Sequence, residues 1–409
     1  MNKLVIATLL LFLPTMCQAD DWTQFRGTGG KSVSQAKPPV VFDANTNIAF
    51  KTPMPGKGAS GPIVIGDRVI VTCSSGENQD QLQTVCVDAK TGKELWKQEF
   101  WATGRCFCHP LSANAAPTPA SDGERVYAFY SSNDLACMDL DGNLIWYRGL
   151  AVDYPKAGND VGMSSSPAVK DGIVVVQVEC QGDSFAMGLD AETGVTIWTK
   201  ERNKVAVWSS PLIIEAGERS LVVLQSTTGV DVVDLKTGET AFQSEGETSS
   251  ISSPAISDGK LFVPIEGTTA FAVSPDGSLS QEWNSPQLRP SSMSSVVYKN
   301  KLYALNRGGV LAVYNTADGT QVQKVRAIKG SNWSTPVVAN GHMYFFAQAG
   351  GCFVIKLDEE GLVVTGDSNG AADIINECNF EDEVFLGSPA IAGDALYVRS
   401  DRYLYKIGK

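Results

Sequence analysis

The sequence predicts an all-β fold, an eight-bladed β-propeller built from four-stranded antiparallel blades. A short cassette recurs eight times, and it opens with a small residue that is mostly followed by proline. Successive openings lie 41 to 57 residues apart, which is the interval of one blade, and no helical pattern separates them. The openings are Gly61-Pro62, Thr118-Pro119, Ser166-Pro167, Ser210-Pro211, Ser253-Pro254, Ser294-Ser295, Thr335-Pro336 and Ser388-Pro389.

Tight turns mark the hairpins inside each cassette. A two-residue Asp-Gly or Asn-Gly turn precedes the second strand, because these residues adopt a positive φ at low cost. A second turn, of the form Asp-x-x-Thr-Gly in its fullest version, precedes the last strand, as at 88–92 and 190–194. The two-residue turns are Asp122-Gly123, Asp171-Gly172, Asp258-Gly259 and Asn340-Gly341.

A bulky aromatic residue follows the second turn in most cassettes. A ring at one repeat position fills the gap between neighbouring blades, whose sheets diverge outward, so we expect structural packing here rather than a cofactor site. The small residues at the openings suit the innermost strands, where the sheets converge. The recurring aromatics are Trp96, Trp146, Trp198, Phe242 and Trp283.

The last cassette, residues 388–409, has room for only three strands. We expect residues 47–53 to supply the fourth strand, with Phe50 in the place of the recurring aromatic. Pairing the two chain ends in one blade closes the ring and removes two exposed sheet edges. Deletion of residues 20–56 is therefore expected to give an aggregating protein.

The N-terminus predicts export. Residues 1–19 have the pattern of a signal peptide, with Lys3, an apolar run and a cleavage site before Asp20. Lipidation at Cys17 is the alternative, although residues 14–16 do not match a lipoprotein signal. The mature chain, 20–409, is then one domain, with an extension at 20–46 and blades at 47–409. We expect a periplasmic or extracellular bacterial protein.

Charge and hydropathy limit the partners. The net charge of −12 argues against nucleic acid and against adhesion to an anionic membrane surface. Beyond the leader, no apolar stretch reaches about 18 residues, so no membrane-spanning helix is expected. We expect a monomer.

The cysteines allow disulfides in an oxidising compartment, since eight remain after Cys17 is removed. Two pairs are candidates, Cys73 with Cys86 and Cys352 with Cys378, but spacing does not determine connectivity. The run Cys106-Phe107-Cys108-His109 favours a disulfide or loop packing over a metal site, because no second ligand cluster is evident. Residues 139–143 form the repeat's turn rather than a calcium loop.

Three long connections, 101–116, 151–163 and 366–386, are expected to emerge on one end of the ring and to form a binding face or a plug of the channel. Trp208 and Trp333 stand three residues before a blade-opening proline and should lie near the channel mouth. The expected ligand or partner contacts are Arg105, His109, Tyr154, Lys156, Trp208 and Trp333, and the same loops carry Asn114, Asp160, Asp373 and Glu377.

The combination of Ser-Ser-Pro, Asp-Gly, Leu-Asp-x-x-Thr-Gly and Trp resembles the repeats of the pyrroloquinoline-quinone (PQQ) propeller superfamily. The resemblance extends over essentially the whole mature chain. The segment at 21–27, Asp-Trp-Thr-Gln-Phe-Arg-Gly, is similar to an N-terminal signature of secreted bacterial members.

The resemblance implies one of two functional classes. One class comprises PQQ- and calcium-dependent dehydrogenases of alcohols or sugars, in which an Asp acts as base; Asp160 would be the first candidate. The other has no cofactor and includes a scaffold lipoprotein of outer-membrane protein assembly with a similar length. The chain departs from the first class, because its paired cysteines are not adjacent, Cys-x-x-Cys-His is absent and no calcium-ligand motif is found.

The sequence therefore favours a non-catalytic binding or scaffold module without cofactor or metal. Its partner would be a protein, a small molecule or a saccharide at the loop face. The dehydrogenase is the alternative hypothesis, and carbohydrate or cell-surface binding is a third.

Overall fold

The computed structural model describes residues 21–158, 160–306, 308–366 and 370–409. The expected signal peptide and the lipidation candidate Cys17 lie outside these described residues. Over the described ranges the chain forms eight β-sheets of four or five strands. The predicted eight-bladed propeller is confirmed.

Two short strands precede the blades, β1 (Val33–Ser34) and β2 (Ile48–Pro53). Blade 1 contains β3 (Ile63–Ile65), β4 (Arg68–Ser75), β5 (Gln81–Asp88) and β6 (Glu94–Trp101). Blade 2 contains β7 (Ala120–Ser121), β8 (Arg125–Phe129), β9 (Asp134–Asp139) and β10 (Leu144–Gly149). Blade 3 contains β11 (Ala168–Lys170), β12 (Ile173–Val178), β13 (Phe185–Asp190) and β14 (Thr196–Glu201). Blade 4 contains β15 (Leu212–Ala216), β16 (Arg219–Ser226), β17 (Gly229–Asp234) and β18 (Thr240–Glu245).

Blade 5 contains β19 (Ala255–Ser257), β20 (Lys260–Val263), β21 (Thr268–Val273) and β22 (Leu279–Ser285). Blade 6 contains β23 (Val296–Tyr298), β24 (Lys301–Leu305), β25 (Val310–Asn315) and β26 (Gln321–Arg326). Blade 7 contains β27 (Val337–Ala339), β28 (His342–Phe346), β29 (Gly351–Lys356) and β30 (Ile374–Asn379). Blade 8 contains β31 (Ala390–Ala392), β32 (Ala395–Arg399) and β33 (Tyr403–Ile407), together with β2.

The first strand of each blade is the innermost one, and the strands follow one another outward in antiparallel order. With four antiparallel strands, the last strand ends on the side where the next blade's first strand begins. All connections between blades therefore emerge at one end of the channel. We call this the loop-rich end; its longest connections are residues 102–119 and 150–167.

The recurring aromatic residues join neighbouring blades, as the sequence predicts. The indole Nε1 of Trp198 in blade 3 donates a 2.8 Å hydrogen bond to the carbonyl of Leu235 in blade 4. Gly238 lies against the same indole so closely that a Cβ atom there would be 2.8 Å from the ring. Equivalent bonds join Trp96 to Leu140, Trp146 to Ala191 and Trp283 to Thr316.

The ring closes through blade 8, where β2 pairs with β33 in antiparallel register. Phe50 faces Tyr397, with ring centroids 6.4 Å apart, and lies against Gly92 of blade 1. The N-terminal strand thus occupies the outermost place in the last blade, and Phe50 takes the position of the recurring aromatic. The predicted closure is confirmed.

The extension before β2 crosses the end of the channel opposite the loop-rich end. Trp22 pairs with Val64 of blade 1, and Val33 and Ser34 pair in parallel with the innermost strand of blade 7. Blade 7 therefore has five strands. We refer to residues 21–36 as the N-terminal plug.

Arg26 ties this plug to the far side of the ring. The side chain is buried, and it donates hydrogen bonds to the carbonyls of Pro254 (2.5 Å) and Ser295 (2.8 Å) and to the Ser32 hydroxyl (3.3 Å). Burial lowers the pKa of Arg26 to about 10, so the guanidinium remains charged at neutral pH. One side chain thus connects the plug to blades 5 and 6.

Two predictions about the chain are wrong. The expected loop 366–386 contains an outer strand, β30. Asp373 precedes this strand in the connection from β29, which emerges at the end opposite the loop-rich end, and Glu377 lies within β30. Cys73 pairs in register with Gln83, whereas Cys86 pairs with Ile70, so the two thiols lie on opposite faces of blade 1 and do not form a bridge.

Among the described ranges, no helix is long and apolar enough to span a membrane, and the α-helix α1 (Leu150–Asp153) has only four residues.

Candidate functional site: the cavity at the loop-rich end

The central channel opens at the loop-rich end into a cavity of about 390 Å³. Loops from several blades form its walls, the innermost strands begin at its base, and Phe25 of the N-terminal plug contributes to its floor. Because the plug contacts blades on both sides of the ring, the channel ends below this cavity. The site is therefore a pocket with one mouth, which is the arrangement typical of ligand sites.

Seven hydroxyl side chains encircle the base of the cavity. They belong to the residues that open the cassettes, and we call them the serine–threonine ring: Thr118, Ser166, Ser210, Ser253, Ser294, Thr335 and Ser388. Each hydroxyl oxygen accepts a hydrogen bond from the backbone N–H at the same position in the preceding blade, at 2.9 to 3.3 Å. The repeat position thus connects the blades around the channel.

Gly61 occupies the eighth position and interrupts the series. Its N–H donates to the Thr118 hydroxyl, but a Cβ atom at this position would lie 2.5 Å from the carbonyl oxygen of Ser388. Blades 8 and 1 approach too closely there for any side chain. The glycine of the first opening is therefore required where the two chain ends meet.

The ring hydroxyls keep their own hydrogens available. A hydroxyl group can both donate and accept a hydrogen bond. Each of the seven ring hydroxyls accepts a bond from a backbone amide, and among the described residues none of them donates to a protein group. Since these side chains line the cavity, their O–H groups are available to an occupant. The base of the cavity is a circle of neutral hydrogen-bond donors.

Two indole rings contribute to the walls, and each has a fixed hydrogen bond. Trp208 Nε1 donates to the carbonyl of Gly162 at 2.8 Å, and Trp333 Nε1 donates to Gln348 Oε1 at 3.0 Å. The first lies in the connection into blade 4 and the second in the connection into blade 7. Their faces are thus held on different sides of the channel mouth.

His109 stands at the rim of the cavity. Its Nδ1 accepts a 3.1 Å hydrogen bond from the N–H of Leu111, so the neutral ring carries its hydrogen on Nε2. The remaining wall is largely apolar, with Val161, Met163 and Ile251 among its residues. Among the described lining residues there is no carboxylate, lysine or arginine.

Arg105 and Asp160 do not line the cavity. Arg105 Nη2 and Asp160 Oδ1 form an ion pair of 2.8 Å in which both side chains are largely exposed. The Arg105 guanidinium also lies 5.7 Å from the ring of Phe107. This pair joins two of the long loops to each other at the surface.

Tyr154 and Lys156 also lie away from the cavity. The ring of Tyr154 stacks on Phe185 of blade 3 with centroids 4.0 Å apart, which is a packing contact. Lys156 is exposed, and its backbone N–H donates to the carboxylate of Asp183 at 3.0 Å. Of the six predicted contact residues, the structure brings His109, Trp208 and Trp333 to the cavity.

The other prominent loop residues support the loops. Asn114 is buried, and it bonds to Gln79 and to the N–H of Ser132, which holds the connection between blades 1 and 2. Burial raises the pKa of the Cys106 thiol to about 11 and also raises the pKa of Cys108, so both remain protonated at neutral pH. Within the described residues, no group of three or more metal-ligating side chains is found.

The sequence pattern did not single out Phe25 or the serine–threonine ring as site residues. The signal for the ring was present, because seven of the eight openings carry a hydroxyl group, including Ser294, which lacks the proline. No repeat position marks Phe25, because its position at the cavity floor depends on contacts between the N-terminal plug and blades that lie far along the chain.

Comparison with known proteins places these features in a family. The family model described as outer membrane protein assembly factor BamB matches residues 28–161, 81–263 and 188–408. Over 220 residues the chain is 25% identical to the outer membrane protein assembly factor BamB of Salmonella typhimurium and 24% identical to that of Escherichia coli. These matches cover 53% of this chain and 50% of each relative, so the chain spans about half the length of the curated relatives it matches.

Solved structures share the fold. The crystal structure of BamB from Moraxella catarrhalis has a TM-score of 0.63 at 13% identity, covering 88% of this chain and 97% of that one. A europium-containing methanol dehydrogenase has a TM-score of 0.68 at 11% identity, covering 93% and 89%. At these identities the likeness shows the fold alone, which an assembly factor and an enzyme have in common. Because the family model matches nearly the whole described chain, the protein belongs to the PQQ-repeat β-propeller family described as outer membrane protein assembly factor BamB.

Proposed function

We propose that this protein is an exported, non-catalytic binding module that takes its ligand or partner at the loop-rich end of the channel. The observation that supports this proposal most directly is the cavity itself, which has one mouth, rigidly held indoles and no charged side chain among its described lining residues. Such a site can bind and orient a molecule, but it offers no acid or base pair to transform one.

The polar side chains that line the cavity do not fit PQQ and calcium. Calcium binds through several oxygen ligands, commonly carboxylates, and PQQ carries three carboxylates of its own that require cationic partners. The described lining residues supply neither kind of group. Asp160, the candidate base under the dehydrogenase hypothesis, is paired with Arg105 outside the lining. The described lining residues therefore support no oxidation step through PQQ.

The surface around the mouth favours contact with a partner molecule. Phe107 and Leu111 project from the connection between blades 1 and 2, and Trp333 projects from the connection into blade 7. Their exposed fractions are 60%, 50% and 38%. Exposed apolar side chains grouped at one site are typical of interaction surfaces. The name of the relatives, outer membrane protein assembly factor, agrees with a binding role, and a protein partner for this chain is part of the proposal.

The proposal is tested by titrating the purified mature protein with PQQ, with calcium and with EDTA, while its melting temperature is measured. A ligand that binds only the folded state raises stability, by about 2.7 kcal/mol at one hundred times its dissociation constant. We expect no calcium-dependent rise. A rise that EDTA abolishes would overturn the proposal and would call for assays of alcohol and sugar oxidation.

A further inference from the structure

We propose that the cavity at the loop-rich end binds a neutral saccharide, held against Trp208 and Trp333 with its oxygens directed at the serine–threonine ring. This inference rests on the proposed function and names the ligand class of the same site. It follows from three properties of the cavity, namely its charge, its hydrogen-bonding groups and its apolar walls.

The lining selects an uncharged ligand. A charged group that enters a site without a counter-charge loses its hydration and gains no compensating partner, which is costly. The described lining residues include no carboxylate, lysine or arginine, and the imidazole of His109 stands at the exposed rim. Sugar acids and amino sugars are therefore disfavoured relative to neutral sugars.

The base of the cavity selects a ligand rich in oxygen. The serine–threonine ring presents hydroxyl hydrogens that donate to no protein group within the described ranges. An apolar occupant would expel water and leave these donors without acceptors, which costs free energy for each buried group. The hydroxyl and ring oxygens of a saccharide accept such bonds from several directions. The base thus excludes a purely hydrocarbon ligand.

The walls select a ligand that also has an apolar face. The face of an indole carries partial negative charge, and it attracts the weakly positive C–H groups that cover one side of a pyranose ring. Because their Nε1 atoms are bonded to Gly162 and Gln348, Trp208 and Trp333 are held in place before a ligand arrives. Fixed contact groups lower the entropy lost on binding.

The size of the cavity sets the length of the ligand. A volume of about 390 Å³ lies near the lower limit for small-molecule sites, roughly 300 Å³. It suits one or two sugar units. Longer chains would extend through the mouth between the exposed loops.

The test is calorimetric titration of the mature protein with neutral sugars: glucose, galactose, mannose, N-acetylglucosamine, maltose and cellobiose. Glucuronate and glucosamine serve as charged counterparts. The variants are Trp208→Leu and Trp333→Leu, and Trp101→Leu is the matched control because this indole is 67% exposed on an outer strand of blade 1. Melting curves of each variant show that it is folded; Trp333→Leu changes a side chain that is 38% exposed, so it tests the cavity even if Trp208→Leu is unstable.

We expect at least one neutral sugar to bind, both cavity variants to weaken it by roughly tenfold or more, and Trp101→Leu to leave it unchanged. We also expect the charged counterpart to bind more weakly. Absence of binding by every neutral sugar, binding that the cavity variants do not change, or equal binding of a sugar acid would each overturn the inference. A protein that binds neither sugars nor PQQ would overturn this inference alone, whereas calcium-dependent PQQ binding would overturn the proposed function.

Discussion

The indole Nε1 of Trp198 donates a 2.8 Å hydrogen bond to the backbone carbonyl of Leu235 in the next blade. The contact is repeated by other tryptophans around the ring, and it combines apolar packing with a directed bond. At the inner edge of the blades, the serine–threonine ring makes the second repeated connection. Neighbouring blades are thus joined both at their outer strands and beside the channel.

Replacing Trp198 should separate the contribution of its hydrogen bond to Leu235 from the contribution of its apolar packing between the outer strands. Trp198→Phe keeps an aromatic ring but loses the hydrogen bond, and we expect a loss of about 1 kcal/mol in the free energy of unfolding. Trp198→Ala also loses the packing and should cost about 3–5 kcal/mol. Urea unfolding measures both. The control Trp101→Phe, on an exposed side chain, should change stability by less than about 0.5 kcal/mol, and equal losses for the two Trp198 variants would contradict a role for the bond.

The inner contact can be tested at Ser253, whose hydroxyl accepts the 3.0 Å hydrogen bond of the Ser210 N–H. Ser253→Ala leaves this buried amide without an acceptor, so we expect a loss of about 1–3 kcal/mol. Ser253→Thr should be nearly neutral, because Thr118 and Thr335 occupy the same repeat position. If alanine and threonine behave alike in urea unfolding, the hydroxyl does not support the ring.

The blades and the closure could be predicted because their signals are local and repeated. A two-residue turn, or an aromatic residue after a Thr-Gly turn, can be recognised within a single cassette. Phe50 supplies the equivalent aromatic residue for the last blade from the other end of the chain. The sequence does not predict strand β30, because the connection before it is long, residues 357–373, and because β30 lacks the recurring aromatic. The signal that marks an outer strand was absent there.

The cavity was predicted less completely, for a different reason. Trp208 and Trp333 can be predicted because they stand three residues before a blade-opening proline, and His109 because it lies in a long connection. The floor could not be found in this way, since Arg26 of the plug bonds to residues 228 and 269 positions away. Contacts over such separations leave no periodic pattern. Arg105 and Asp160 are candidates by loop position, but in the structure they pair with each other at the surface and do not line the cavity.

The cysteines offer a prediction about oxidation. Cys352 and Cys378 face each other in the register of β29 and β30. Burial raises the pKa of Cys352, whereas the hydrogen bond from the Cys352 thiol lowers the pKa of Cys378. Cys378 is therefore the thiol expected to attack an oxidant or an alkylating reagent first. The predicted pair remains a prediction, and the facing positions make it geometrically accessible.

In the presence of a disulfide oxidant we expect this pair to join, with the loss of two hydrogens and a gain in stability of about 3 kcal/mol for a loop of this length. Peptide mass mapping without reductant identifies the bond, and Cys378→Ser abolishes it. Cys73 and Cys86, on opposite faces of blade 1, should remain unlinked under the same treatment. A Cys73–Cys86 peptide would contradict the observed register.

The repeat turns predict how stability depends on pH. In Asp190, the hydrogen bonds donated by the Thr193 hydroxyl (2.7 Å) and N–H (2.8 Å) lower the pKa. Similar bonds lower the pKa of Asp88 and Asp318. A carboxyl whose folded pKa is depressed stabilises the protein above its unfolded pKa, about 3.9, and this stabilisation is lost as pH falls through the folded pKa.

We therefore expect the free energy of unfolding in urea to be level near neutrality and to decline as pH falls below about 4. Asp190→Asn should reduce stability at pH 7 and flatten part of this decline, because asparagine does not titrate. Glu218→Gln, on an exposed hairpin turn of blade 4, is the control and should leave the profile unchanged. An Asp190→Asn profile parallel to that of the unchanged protein would show that this turn does not contribute to acid sensitivity.

The N-terminal plug should be essential for the integrity of the ring, and Arg26 is its most informative residue. Its guanidinium reaches carbonyls in two blades, so Arg26→Ala leaves those buried oxygens without donors and should cost about 2–5 kcal/mol. Limited proteolysis should then cut the chain first near residues 21–36, before any blade is cleaved. Arg26→Lys retains the charge but cannot reach both carbonyls with a planar group, so an intermediate loss is expected.

Deletion of residues 20–56 removes β2 as well and exposes the edge of β33, so that protein should aggregate rather than merely lose stability. A soluble deletion protein with unchanged melting would mean that neither the plug nor the closing strand holds the ring together.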